Sequence, residues 1–511
     1  MKTRMMNAKR LCAGVVAAVV LSPAIAGSAL ACTGFYVGKR VSADGSVLLG
    51  RTVDLTALWV GHRVAVVPRV ENVPGRVYTG PRGFTWTLPA TTWKYVATPR
   101  LSWEGAGDFA SVAANEKGLA ITATVTGYVR KEISEAFPPV TTGCAEENLT
   151  TVLAASCASA SEAVDLIGEI MAKRGTNERN IVLVADRNEA WLVEIYTGRL
   201  WAAMRLPEDR VAAFGNNFLL EAYDPDSPDW RAAPDIASAP EAKGLAVRTA
   251  DGRLDLFHTY SGRRYQYANL RNWFAKRFLA PGTEGAYADE AEFPLIYAPN
   301  RRIGVADLFA VMRTRYEGTD WCPETNGRDN VRIIGTEGQS TCHVVSLRDD
   351  LPPERSMTVW TCLGPAEHSV FLPLGNAIDG VDGAFARDWT EKRTAFSPTL
   401  ACDAFRRLAA LCQLNRTMYG QGVRDFWAAR EKELLAAWPA VFARGNAAEM
   451  TAFVTREQRR AFEDAVRIHD ELEWYIASNG LSCRYSQKLG VWKRHPDPKP
   501  FVPSGTEEKA R

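Results

Sequence analysis

Three stretches of this sequence read as strand, tight turn, strand, and within each the strands follow one another without an intervening helix. "CTGFYVG" and "SVLLGRTVD" flank "SADG", in which Asp44-Gly45 is a strong hairpin signal. "FASVAANEKGLAITATVT" repeats the pattern around a turn from Asn115 to Gly118. "NIVLVADRNEAWLVEIYTGRLWAAMRL" gives strands parted by "DRNE" and "TG". Parallel neighbours need a crossover of a dozen or more residues, whereas antiparallel ones close through turns of this length. The pattern predicts an α+β architecture, with helices laid on antiparallel sheet.

Helices are legible between and after these strands. "SEAVDLIGEIMAKRG" is amphipathic, with Ser159 or Ser161 as its cap, basic residues in its last turn and Gly175 beyond its end. Residues 221–300 read as irregular structure around one or two helices, and helical periodicity returns from Ile303 to Met312. "CHVVSLRDD", "SMTVWTCLG" and "SVFLPLG" add a later block of strands. From about Pro398 the pattern turns helical, with Thr455 and Gln458 as a capping box. No Gly/Ser/Pro linker separates this part. The reading is a domain over residues 32–397, a helical region over 398–490 packed on it, and a disordered tail over 491–511.

The 511 residues are 46% hydrophobic and 23% charged, which suits a globular protein with a large core. Formal charge is +2, and Lys2, Arg4, Lys9 and Arg10 all precede Cys32, so the remainder is close to neutral. That excludes the basic footprint of a nucleic-acid binder. Residues 1–31 read as a signal peptide: a basic start, the apolar "LCAGVVAAVVL", then Ala29-Leu30-Ala31 as a cleavage site. The apolar run falls short of the roughly 20 residues a membrane span needs. A secreted or periplasmic protein without a membrane span is expected.

Export changes the meaning of the cysteines. Of ten, Cys12 leaves with the signal and Cys32 stands at the cut; the other eight are compatible with four disulfides. Cys144 with Cys157 is the expected pair, because a loop of about a dozen residues closes easily. The sequence has neither a CxxC nor an HExxH motif, and His62, His258, His343, His368, His469 and His495 are scattered. No metal and no other cofactor is expected.

Cys32 itself admits three readings. A lipid anchor wants leucine three places before the cysteine, and here Leu30 stands one place late. A disulfide role would leave an odd count. The third reading uses the position: cleavage after Ala31 gives one residue both a thiol and a free α-amine. Such an amine has a pKa of about 7.7–8.0 and can act as the base for its own thiol. "GRTVDL" then sets Arg51 and Asp54 on the neighbouring strand. A cation near the thiol favours thiolate, and Asp54 can hold either the arginine or the new amino terminus. Taken alone, an R-x-x-D is equally a surface ion pair.

An N-terminal Cys, a strand, a D-G turn, a second strand and R-x-x-D resemble the cysteine N-terminal-nucleophile (Ntn) hydrolases. That group includes choloylglycine hydrolases, penicillin V acylases and the dipeptidase A family. "CTGFYVGKRVSADGSVLLGRTVD" is most similar to dipeptidase A, and "ANEKGLAITAT" resembles the strand-turn-strand that follows in both branches. "FGNNFLL" resembles the segment carrying the family's oxyanion asparagine, and "YANLRNWF" the one carrying a second arginine. "NVRIIGTEGQSTCHVVSLR" and "TVWTCLGPAEHSVFLPL" are similar to later dipeptidase strands, so the resemblance spans roughly residues 32–480.

The resemblance implies a four-layer αββα sandwich with a helical C-terminal extension. It implies Cys32 as nucleophile and, through its amine, base, with Arg51 and Asp54 positioning and polarising it. Asn216 would donate to the oxyanion, with adjacent Asn217 as the alternative, and Arg271 matches the second arginine. Thr122 to Thr126 lacks the asparagine that the acylases carry there, which favours the dipeptidase branch and leaves the second oxyanion donor to a backbone N–H. The implied activity is hydrolysis of short peptides, chiefly dipeptides, through a thioester and without a cofactor. An amidase for N-acyl amides would use the same residues, and a lipid-anchored exported binding protein is the non-catalytic alternative. The oligomeric state is left open, a homo-oligomer included.

Overall fold

The computed structural model describes residues 31–55, 60–102, 109–125, 127–289, 291–327, 331–391, 395–481, 483–486, 491–494 and 499–506. For Ala31, Thr124, Val125 and residues 480–481, 483–486 and 491–494 it describes the backbone alone. Apart from Ala31, the expected signal segment lies outside the described residues, as do Thr126 and His495.

The hairpin β1 (Ala31–Val37) and β2 (Val47–Asp54) comes first. It is followed by β3 (Ala65–Val67), β4 (Tyr95–Pro99), β5 (Ala110–Asn115) and β6 (Ala120–Val125). Helices α1 (Glu146–Ser156) and α2 (Ala160–Arg174) precede β7 (Asn180–Ala185), β8 (Ala190–Thr197), β9 (Leu200–Arg205) and β10 (Val211–Phe214). Then come β11 (Trp230–Ala232), α3 (Gln266–Leu279), β12 (Ile296–Tyr297) and α4 (Val305–Arg313). The large sheets are completed by β13 (Gln339–Leu347), β14 (Met357–Leu363) and β15 (Leu372–Gly375). Helices α5 (Ala401–Leu414), α6 (Gln421–Arg444) and α7 (Ala447–Leu481) follow.

One sheet runs in the order β12-β10-β1-β2-β13-β14-β15 and the other β11-β9-β8-β7-β6-β5-β4-β3. Their pairings are antiparallel throughout. β1 and β2 face β6 and β7 across the centre; α1 and α2 cover the second sheet, and α3 to α7 the first. The layers are helix, sheet, sheet, helix: the αββα sandwich that the resemblance implies. Because both faces of its central strands are covered, β2 and β13 are buried at every position. The polar residues they carry, Arg51, Asp54 and His343 among them, are therefore buried as well.

Local chemistry explains the turns. Gly45 has φ of 81°, a left-handed geometry that glycine adopts without strain, and Asp44 Oδ1 accepts from Ser46 N at 3.1 Å. Gly118 has φ of 87°, and Asn115 Oδ1 accepts from Lys117 N and Leu119 N, each at 3.0 Å. Ser159, rather than Ser161, caps α2 by accepting from Glu162 N at 3.2 Å.

Three expectations are corrected. Thr455 and Gln458 are no capping box: α7 begins at Ala447, and Asn446 caps it by accepting from Glu449 N at 3.1 Å. Gln458, buried in the helix, instead accepts from Asp382 N at 2.8 Å. The Cys144–Cys157 disulfide does not form; every cysteine whose side chain is described is a buried free thiol. The two flank opposite ends of α1, and at 1.5 Å per residue a helix of that length holds them about 20 Å apart, against the roughly 7 Å limit for a bridge. Finally, the tail expected to be disordered is partly ordered. Val491–Arg494 pairs with Cys483–Ser486. Phe501, 5% exposed, lies against Tyr475 of α7, and its N–H donates to Met418 O at 2.8 Å. Ser504 adds to this anchor, its N–H donating to Glu471 of α7 at 2.9 Å.

Candidate active site

The β1–β2 register sets Cys32 opposite Val53, Gly34 opposite Arg51 and Ala31 opposite Asp54. Alternation along a strand then sends Cys32 and Arg51 to the face between the sheets, and Asp54 to the helix-covered face. Arg51 Nη2 donates to Cys32 Sγ at 3.2 Å and to Glu146 Oε1 at 2.5 Å, while Nη1 donates to Ser111 O at 3.3 Å. Glu146 is the first residue of α1, where the helix dipole favours a negative charge. On the other face, Arg332 Nη2 donates to Asp54 Oδ2 at 2.6 Å.

β10 flanks the opposite edge of β1, so the chain leaving it carries Gly215, Asn216 and Asn217 past Cys32. Cys32 N–H donates to Asn216 Oδ1 at 3.0 Å. From α3, Arg271 donates through Nη2 to the same Oδ1 at 2.8 Å, and through Nη1 to Cys32 O at 2.5 Å and Thr33 Oγ1 at 3.1 Å. Gly215 permits this approach: a Cβ there would stand 3.0 Å from both Arg271 Nη2 and Ala268 Cα. Asn272, the next residue of α3, ties the helix down by accepting from Gly215 N at 2.7 Å.

All five residues singled out in the sequence therefore meet in one cluster: Cys32, Arg51, Asp54, Asn216 and Arg271, none more than 3% exposed. Of the two adjacent asparagines, Asn216 touches Cys32, whereas the buried Asn217 amide makes no hydrogen bond. Sequence reading missed Glu146 and Arg332, the ion partners of Arg51 and Asp54. It also missed a polar layer between the sheets. His62 Nε2 lies 3.0 Å from Ser111 Oγ, and His343 Nε2 lies 2.9 Å from Thr122 Oγ1. No local pattern marks any of these residues.

Burial opposes the charge on Arg51, but the Cys32 sulfur and the Glu146 carboxylate outweigh it, so its proton is held more tightly than usual. Burial pushes the Asp54 carboxyl up, against the pull of Arg332, Arg271 and Arg51. Burial also pushes Arg271 below the usual arginine range, and Arg332 adds to that. Among the described residues Arg271 has no carboxylate within ion-pair distance; it donates to the backbone carbonyls of Tyr267 and Cys32, to Thr33 and to Asn216. The one grouping of three metal-type ligands among the described residues, His469, Asp470 and Glu473, is on α7. What surrounds Cys32 is a thiol fixed beside a guanidinium, with the N–H and C=O of the same residue held by polar side chains.

The chain is 28% identical over 364 residues to a probable dipeptidase B from Streptococcus pyogenes serotype M1, covering 68% of this chain and 72% of that protein. It is 29% identical over 356 residues to a probable dipeptidase from Salmonella dublin, covering 68% and 81% respectively. Among solved structures, a conjugated bile acid hydrolase from Clostridium perfringens aligns with a TM-score of 0.33 at 12% identity, over 70% of this chain and 95% of that one. A penicillin V acylase from Agrobacterium tumefaciens aligns with a TM-score of 0.29 at 14% identity, over 67% and 86%. The sequence model of Peptidase family C69 matches residues 31–429, most of the chain including Cys32 and its partners, and the protein belongs to that family of peptidases.

Proposed function

We propose that this chain is an exported dipeptidase whose nucleophile is Cys32, made the amino-terminal residue by removal of residues 1–31. One observation carries the reading: Sγ, N and O of Cys32 are held respectively by Arg51, Asn216 and Arg271. A cysteine kept only for packing needs none of these. With residues 1–31 gone, the N–H now bound to Asn216 becomes an α-amine beside its own thiol. That amine takes the thiol proton, and the thiolate attacks the peptide carbonyl. As the tetrahedral intermediate collapses, the C–N bond breaks and the ammonium returns the proton to the leaving amine. Water, deprotonated by the same amine, then splits the thioester and regenerates the thiol. Asp54 lies opposite Ala31 in the hairpin and balances the ammonium; Arg51 supports the thiolate. Asn216, with a backbone N–H, stabilises the oxyanion. The dipeptidase names of the relatives favour dipeptides over N-acyl amides.

The test begins with N-terminal sequence and intact mass of the exported product, which should start at unmodified Cys32. Turnover of Ala-Ala is then compared for a chain starting at Cys32 and one retaining Ala31. Blocking the amine should lower turnover by about a hundredfold or more, the usual weight of a general base. Equal turnover by both chains would remove the amine from the mechanism, and a lipid-modified Cys32 would do the same.

A further inference from the structure

The stretch from Gly215 to Leu220 carries Asn216, and it is gripped on both sides of that residue. Upstream, Gly215 N–H donates to Asn272 Oδ1 at 2.7 Å. Downstream, the N–H groups of Leu219 and Leu220 both donate to one atom, Glu194 Oε1, at 2.6 and 3.2 Å. Between these anchors Gly127 N–H donates to Asn216 O at 3.3 Å, while the buried Asn217 amide makes no hydrogen bond. The backbone at 216 therefore depends on its two ends.

The register of the second sheet explains how Glu194 comes to hold one of them. It lies on β8, where Leu192, two residues earlier, stands opposite Leu183, and Leu183 opposite Thr122. The Thr122 hydroxyl meets His343 of the first sheet, so this face looks into the layer between the sheets. Residues directly opposite or two apart share a face, and Glu194 points the same way, towards the chain leaving β10. Tyr196 closes the arrangement: its hydroxyl donates to Glu194 Oε2 at 3.0 Å, and its ring meets Phe218 edge-on, with centroids 4.8 Å apart. Glu194 is 0% exposed, and among the described residues no cation lies within ion-pair distance of it. Burying a carboxyl in this way costs stability. What it provides is an acceptor for two backbone N–H groups that would otherwise be buried unpaired.

We propose that Glu194 is a positioning residue for the oxyanion donor, fixing Leu219 and Leu220 so that Asn216 stands where the reaction needs it. This rests on the reading above, in which Asn216 stabilises the oxyanion formed when Cys32 attacks. Asn216 Oδ1 takes Cys32 N–H at 3.0 Å and Arg271 Nη2 at 2.8 Å, which sets the plane of its amide. A small shift of the backbone at 216 would loosen both bonds and move the amide from its working position. Glu194 makes its own hydrogen bonds to the loop and to Tyr196, so its effect passes through Asn216.

The experiment is a double-mutant cycle on the exported enzyme, with kcat and KM for Ala-Ala measured separately. Glu194→Met removes the acceptor and keeps most of the volume. It should lower kcat by about tenfold to a hundredfold, within the weight of one oxyanion donor, with KM changed by less than about threefold. In the Asn216→Ala background the same substitution should cost less than about twofold, because the group it positions is gone. Glu194→Gln, whose Oε1 can still accept from both N–H groups, should restore kcat to within about threefold of the wild type. Losses that multiply in the double variant would overturn the proposal, since Glu194 would then act on something other than Asn216. A Glu194→Met chain with a lowered melting temperature and wild-type kcat would overturn it as well, leaving a structural role alone and the dipeptidase reading intact. If Glu194→Met does not fold, Glu194→Asp, which draws the acceptor back by one methylene, takes its place in the same cycle. Wild-type turnover in Asn216→Ala alone would remove Asn216 from the oxyanion site, and this proposal with it, without touching Cys32 as nucleophile. Wild-type enzyme that leaves Ala-Ala uncut removes the proposal together with the reading beneath it.

Discussion

Arg51 and Glu146 are buried partners that respond differently to losing each other. A guanidinium keeps its proton in any protein environment, whereas a buried carboxyl can escape its charge by taking one up. Burial already pushes the Glu146 carboxyl up. Glu146→Gln therefore leaves a stranded cation and should destabilise the fold by about 3–5 kcal/mol. Arg51→Gln should destabilise less, and the double variant should be more stable than Glu146→Gln alone. Urea denaturation of the three variants checks this order; equal losses in the two single variants would mean the pair is not ionised. The same pair shows what was legible residue by residue. Cys32, Arg51 and Asp54 sit on one hairpin, and a turn signal plus strand alternation is enough to bring them together. Asn216 and Arg271 lie 184 and 239 residues from Cys32 and were reached only through the resemblance. Glu146 lies 95 residues from Arg51, and Arg332 lies 278 from Asp54. Each is one charged residue among many, and only the fold says which charges meet.

Elements were legible where a backbone requirement falls on a particular residue type. Gly45, Gly118 and Ser159 each do something few other residues can, and the β1–β2 hairpin, the β5–β6 hairpin and α2 follow from them. Thr455 misled because a capping box is a pair of residue types that also fits a helix interior. Cys144 and Cys157 misled because a dozen residues were counted as a closable loop when they form a rod. The C-terminal helices show that packing, absent from any local pattern, decides where an element belongs. Trp438 of α6 donates through Nε1 to Thr358 Oγ1 of β14 at 2.8 Å. Glu431 of the same helix takes both Arg313 Nη1 at 2.8 Å and Nη2 at 2.6 Å, and accepts from Phe371 N at 2.8 Å. Removing α5 to α7 would expose the outer face of β14 and β15 and leave Arg313 without its carboxylate. A chain ending at Ser397 should fail to fold, while the full chain should melt in one cooperative transition. Recovery of a soluble truncated chain with its own sharp melt would show that the helices only rest on a self-sufficient core.

At the scale of the whole molecule, the buried polar layer should set how stability responds to acid. Burial holds His62 and His343 of that layer, and His368 beside α6, well below the ordinary histidine range, so the folded protein resists protonating them where the unfolded chain does not. In the unfolded chain each takes up a proton as pH falls through about 6.5. The unfolded state then binds more protons than the folded one, and stability falls as pH drops below that value. Glu194 works in the opposite direction: burial raises its carboxyl to about 7, so the folded state binds the extra proton between the unfolded value and that one, and stability falls as pH rises. Absolute stability curves mix these opposing trends, but a difference between two chains isolates one histidine. His343→Gln keeps a hydrogen-bonding group towards Thr122, which stands 2.9 Å from His343 Nε2, and removes the titration. The variant should be less stable than the wild type at pH 7. Its deficit should shrink as pH falls from 7 to 5, at a rate approaching about 1.4 kcal/mol per pH unit, because the wild type loses stability that the variant does not. Urea denaturation of both chains at pH 7, 6 and 5 measures that difference directly. A deficit that stays constant across the three would mean that His343 charges as readily inside the fold as outside it, and that the layer between the sheets is open to water.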